Sequence, residues 1–169
     1  MKKILSLLLV IVISVLCLFG CESFHMPEER PEDFSFYISW GENGFSAYSS
    51  SAGRLIKTPD AQNPADYLTV YRMNKEELDK VYRLIKDLNV GDCPEEFGDG
   101  EVTHCEPSIS LTLTVTVGES KKTVKASRIS GYDAGITDKA KAFLGTVKEI
   151  VDIIESSEEW KSLPDVETK

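Results

Sequence analysis

The strictest alternation in the chain runs from Ser108 to Val117, where Ile109, Leu111, Leu113, Val115 and Val117 interleave with Ser and Thr. A period of two puts every apolar side chain on one face, so this stretch reads as a half-buried strand backed by a hydroxyl row. Gly118 to Lys121 turns the chain and Lys122 to Ile129 pairs back. The same period returns at Phe34, Phe36, Ile38 and Trp40, separated by Ser35, Tyr37 and Ser39. Gly41-Glu42-Asn43-Gly44 supplies a turn to a partner strand at Phe45 to Tyr48. Arg54 to Thr58 and Tyr67 to Met73 add two more short strands to this first hairpin group.

Twice the period changes to that of a helix. Asn74 with Glu77 forms a variant capping box ahead of a stripe of Leu78, Val81, Tyr82, Ile85 and Leu88. Thr137 caps a last helix with a stripe of Ala140, Phe143, Leu144, Val147, Val151 and Ile154. The pattern therefore predicts an α+β fold. An antiparallel sheet of about six short strands, in two hairpin groups, carries two amphipathic helices packed on one face.

One apolar stretch fits neither period. Lys2 and Lys3 precede an almost wholly apolar run from Ile4 to Phe19, and Gly20 then precedes Cys21. Sixteen residues span about 24 Å as a helix, short of a ~30 Å hydrocarbon core. Charge, apolar run and small-residue processing site are the order of a secretory signal peptide. The cysteine after glycine resembles a bacterial lipoprotein signal, in which Cys21 becomes the lipidated first residue. A helical anchor or a simple cleaved signal are the alternatives. The expected organisation is a signal peptide at 1–20, a flexible acidic tether at 21–33, a single α+β domain at 34–163 and a polar tail at 164–169. The tether expectation rests on the charged, Pro27- and Pro31-punctuated composition of Glu22 to Asp33.

Charge narrows the partners. The chain carries 19 Lys and Arg against 28 Asp and Glu, a net −9, and loses two of its basic residues with Lys2 and Lys3. Such a chain is poorly suited to nucleic acid, whose phosphates must be neutralised by Lys and Arg. The expected location is the extracytoplasmic face of the cell membrane, held through lipid on Cys21.

The signal peptide, the early aromatic strands with their Gly turn, Asn74 to Tyr82 and the close at Ile153 to Pro164 resemble a group of small uncharacterised lipoproteins of Firmicutes. That resemblance covers most of the chain after the signal and implies no activity and no functional residue. The loop bearing Cys93 and Cys105 has no counterpart in that pattern.

Candidate chemistry is sparse. Outside the reducing cytosol Cys93 and Cys105 make a disulfide the default, with free thiols as one alternative. A metal site using His104 and the surrounding carboxylates is the other, but zinc ligands usually lie two to four residues apart. No nucleophile, phosphate-loop or metalloprotease motif occurs, so no catalytic residue, metal or cofactor is expected. The expected function is that of a non-enzymatic, lipid-anchored envelope protein with a protein, peptide or glycan partner. The alternative is a small-ligand, glycan or peptide module using Tyr37, Trp40 and Tyr48 of the aromatic hairpin, since aromatic rings offer large contact area beside polar groups.

Overall fold

The computed structural model describes residues 24–41, 45–58, 64–98, 110–127 and 136–165. Among these residues seven strands form one sheet: β1 (Ser35–Trp40), β2 (Ser46–Ser49), β3 (Arg54–Ile56), β4 (Leu68–Val70), β5 (Glu96–Phe97), β6 (Ser110–Val117) and β7 (Ser120–Ser127). Their spatial order is β4-β3-β2-β1-β6-β7-β5. Every pairing is antiparallel except β5 with β7. The two hairpin groups are fused by β1 against β6, which sets Ile38 opposite Leu113 and Tyr37 opposite Thr114. The fold is α+β as the pattern predicts, with one strand more than expected. The addition is β5, in a stretch read as loop because two residues are too short to show a period.

Three helices among the described residues cover one face: α1 (Lys75–Asp87), α2 (Asp138–Glu155) and the short α3 (Glu158–Ser162). The capping box of α1 is present. The Glu77 N–H donates to Asn74 Oδ1 at 2.9 Å, and the Asn74 N–H donates to Glu77 Oε2 at 2.8 Å. Thr137 Oγ1 accepts from the Ala140 N–H at 3.2 Å to open α2. Leu88 and the α1 residues Val81, Tyr82 and Ile85 meet Ala140, Phe143, Val147, Ile150 and Ile154 of α2 in one buried cluster with Phe36, Ile38, Leu113 and Val115 of the sheet. Ring contacts tie each helix to the sheet side: Phe34 stands edge-on to Tyr82 at 4.9 Å, Phe97 lies 5.3 Å from Phe143, and Trp40 lies 5.5 Å from Trp160.

Residues 24–33 correct the expectation of a flexible tether. Met26 is buried and Phe24 packs against the core. Tyr82 Oη donates to the Pro27 carbonyl at 2.6 Å, Arg30 Nε pairs with Asp79 Oδ1 at 2.6 Å, and Lys86 Nζ pairs with Glu28 Oε2 at 2.5 Å. The segment is a strap laid along α1. Composition concealed it because two apolar residues, Phe24 and Met26, suffice to dock a short segment whose charges find partners on the helix. Gly91 records how closely it lies. A Cβ there would stand 2.2 Å from the Phe24 carbonyl oxygen, so only glycine admits the strap.

Candidate functional site

The alternation of β1 decides which aromatic rings are available. Residues 36, 38 and 40 face the helices, so Phe36, Ile38 and Trp40 are buried, whereas Tyr37 faces the other way and is 41% exposed. Tyr48 sits opposite Ile38 in the β1–β2 register and therefore shares the core face; it is 1% exposed. Of the three rings expected to form a binding surface, Trp40 and Tyr48 are enclosed. Tyr37 alone stands in the open, flanked across the sheet by Ser49 and Thr114. The period of two already contained this outcome for Trp40, and the β1–β2 register supplies it for Tyr48. The expected turn residues Glu42 and Asn43 lie outside the described residues.

Trp40 is held from several directions. Its Nε1–H donates to Glu155 Oε1 at 2.9 Å, and its ring packs on Trp160 of α3. Lys57 Nζ lies 5.3 Å from the Trp160 ring centroid, donates to the Leu163 carbonyl at 3.2 Å and pairs with Asp165 Oδ1 at 2.8 Å. The cluster clasps the C-terminal helix to the sheet, with the ammonium over an indole face in a cation–π contact. It is a packing joint in which the polar atoms named find partners, so it offers no open binding geometry. Sequence reading had α2 as the last helix and missed α3, whose five residues are too few for a recognisable stripe.

A second polar cluster lies where β2 and β3 meet the start of α1. Tyr48 Oη donates to the Tyr71 carbonyl at 3.3 Å. Burial, chiefly, raises the Tyr71 phenol well above its ordinary pKa, with the Glu77 carboxylate adding to the effect. Burial likewise raises Tyr48. Among the described residues Tyr71 Oη makes no hydrogen bond of good geometry, Glu77 being the carboxylate that acts on it. Both phenols stay protonated at neutral pH, so neither is poised as a base or nucleophile.

Cys93 is buried and has no disulfide partner among the described residues, and burial pushes its thiol pKa up, which makes the thiol a poor nucleophile. Cys21, His104 and Cys105 lie outside the described residues. Among the described residues no three His, Cys, Asp or Glu side chains converge as a metal site.

The sheet's two edges complete the geometry. β5 is two residues long and carries Glu96. β4 exposes Leu68 (37%) and Val70 (61%), the other two large apolar residues that are exposed among those described. The Lys57 N–H donates to the Tyr67 carbonyl and the Tyr71 N–H to the Gly53 carbonyl, each at 2.9 Å. Antiparallel ladders alternate, so Thr69 exchanges bonds with Leu55 while the N–H and C=O of Leu68 and Val70 point to the free edge.

No known protein family matches this chain, and none of the curated proteins is similar to it.

Proposed function

We propose that this protein is a lipid-anchored component of the cell envelope whose single α+β domain serves as a non-enzymatic interaction module on the extracytoplasmic face of the membrane. The observation that carries the reading is the place of the leader's cysteine, Cys21, three residues ahead of Phe24, which packs against the core. Cleavage before Cys21 would keep Phe24, Met26 and the other described core residues in the mature chain. The enclosed tyrosines and the buried Cys93 support an interaction role over a reactive one. The small-ligand, glycan or peptide alternative retains only Tyr37 of its three rings.

Expression of the full chain in a bacterial host with an alkyne fatty acid tests the anchor. Wild type is expected to incorporate label, and Cys21→Ala to remain as unlabelled precursor. Undiminished label on Cys21→Ala would overturn the reading.

A further inference from the structure

We propose that β4 is the contact by which two copies of this protein pair, edge to edge and antiparallel, about a two-fold axis through Thr69. Natural sheets protect their edges with charge, proline, bulges or very short strands. The β5 edge follows that rule. The β4 edge is also short, at three residues, but Leu68-Thr69-Val70 has no charged residue and no proline, and both of its apolar side chains are exposed. Its outward-turned N–H and C=O groups at Leu68 and Val70 form a ready template for another strand.

The symmetry follows from the ladder. With Thr69 on the axis, Leu68 of each copy faces Val70 of the other as a hydrogen-bonded pair. The two strands thereby exchange four backbone bonds. Leu68 and Val70 share one face of the strand, so each covers its partner's apolar neighbour across the junction. The charges choose the occupant. Asp66 precedes the strand in the 3-10 turn Pro64–Tyr67, and exposed Arg72 follows it. An antiparallel second copy brings the Arg72 end of one strand to the Asp66 end of the other, twice. A parallel arrangement would set Arg72 beside Arg72. This is the self-complementarity that a closed two-fold interface requires.

Three residues a side bury much less than the roughly 1,000 Å² of a stable interface. The pair is therefore weak in dilute solution and is favoured where copies are concentrated. Confinement by lipid would supply that concentration, and in this one respect the inference rests on the proposed anchor.

The test uses the full chain in membranes of expressing cells. Thr69→Cys places a thiol on the axis, and Glu119→Cys, in the exposed β6–β7 turn, is the control. Mild oxidation is expected to give a Thr69→Cys dimer whose linked peptide, by mass spectrometry, joins position 69 to position 69. Adding Val70→Lys should cut that dimer at least tenfold. Arg72→Glu should weaken it, and Asp66→Arg in the same chain should restore it. Cross-linking no stronger than the Glu119→Cys control, dimer unchanged by Val70→Lys, or linkage of position 69 to a different protein would each overturn the proposal. Fatty-acid label on Cys21 is scored separately. Label without a 69–69 link refutes the pairing alone, and a 69–69 link without label refutes the anchor alone.

Discussion

The two faces of the sheet are built from the same strands yet do opposite things. Toward the helices, β1 sends Phe36, Ile38 and Trp40 into the one buried cluster to which all three helices contribute. Toward the other side it sends Ser35, Tyr37 and Ser39, and β6 sends Thr112, Thr114 and Thr116. On that second face hydroxyls bond to one another across the ladder, as Thr114 does with Thr123 at 3.0 Å. The helix-covered face holds the fold through volume and aromatic contact. The other face is polar, and of the β1 residues there Ser39 is buried while Tyr37 is exposed. A single residue step along β1 separates buried Phe36 from exposed Tyr37.

The comparison is broken most directly at position 40. Trp40→Ala should lower stability by about 3–5 kcal/mol, the usual cost of emptying a large aromatic site, because it opens a cavity beside Trp160 and strands Glu155. Chemical denaturation reads this, and a loss under about 1 kcal/mol would show that the helix-covered face tolerates voids. Gly91→Ala tests the strap's place on the same side. Its methyl collides with the Phe24 carbonyl, so the strap must shift, at a cost of about 1–3 kcal/mol typical of overpacking. Limited proteolysis between Phe24 and Asp33 should accelerate in that variant and not in wild type.

Acid should loosen the strap without a substitution. The Lys86 ammonium, first by hydrogen bond and then by charge, holds Glu28 below its ordinary pKa, and the Arg30 guanidinium followed by Lys75 does the same for Asp79. Carboxylates with lowered pKa contribute stability that is fully present above their unfolded values, near 4, and is lost as pH falls through the folded ones. Hydrogen exchange of residues 24–33 should therefore rise below about pH 4, ahead of global unfolding. Glu28 is exposed and Asp79 half-buried, so the effect is modest and salt-sensitive. Exchange that stays flat down to the global transition would mean the apolar contacts of Phe24 and Met26 suffice. The smallest effect belongs to the open face. Tyr37→Ala should change stability by no more than about 0.5 kcal/mol, and a loss of 2 kcal/mol would abolish the contrast between the faces.

Much of this arrangement was legible beforehand because it is periodic. The strict alternation of 108–117 and 34–40, and the stripes from Leu78 and Ala140, each repeat often enough to fix an element and its buried side. The fusion of two hairpin groups by β1 and β6 was not legible, since register between strands distant in sequence leaves no local trace. The short pieces were missed for a different reason: β5 and α3 have too few residues to display a period. Tyr48 was offered as a binding ring because its face depends on pairing with Ile38. The strap was missed because average composition weighs eight polar or proline residues more heavily than two well-placed apolar ones. The β4 edge could have been suspected from Leu68 and Val70 straddling Thr69 without a charge, but only strand order makes it an edge.

The docked strap also bears on the proposed anchor. A lipidated Cys21 would be three residues from Phe24, a reach of at most about 10 Å, where a free segment through Asp33 would allow roughly 40 Å. A domain so held would not sweep a wide volume outside the cell. It would ride close over the bilayer, meeting what lies in that thin layer or diffuses laterally through it.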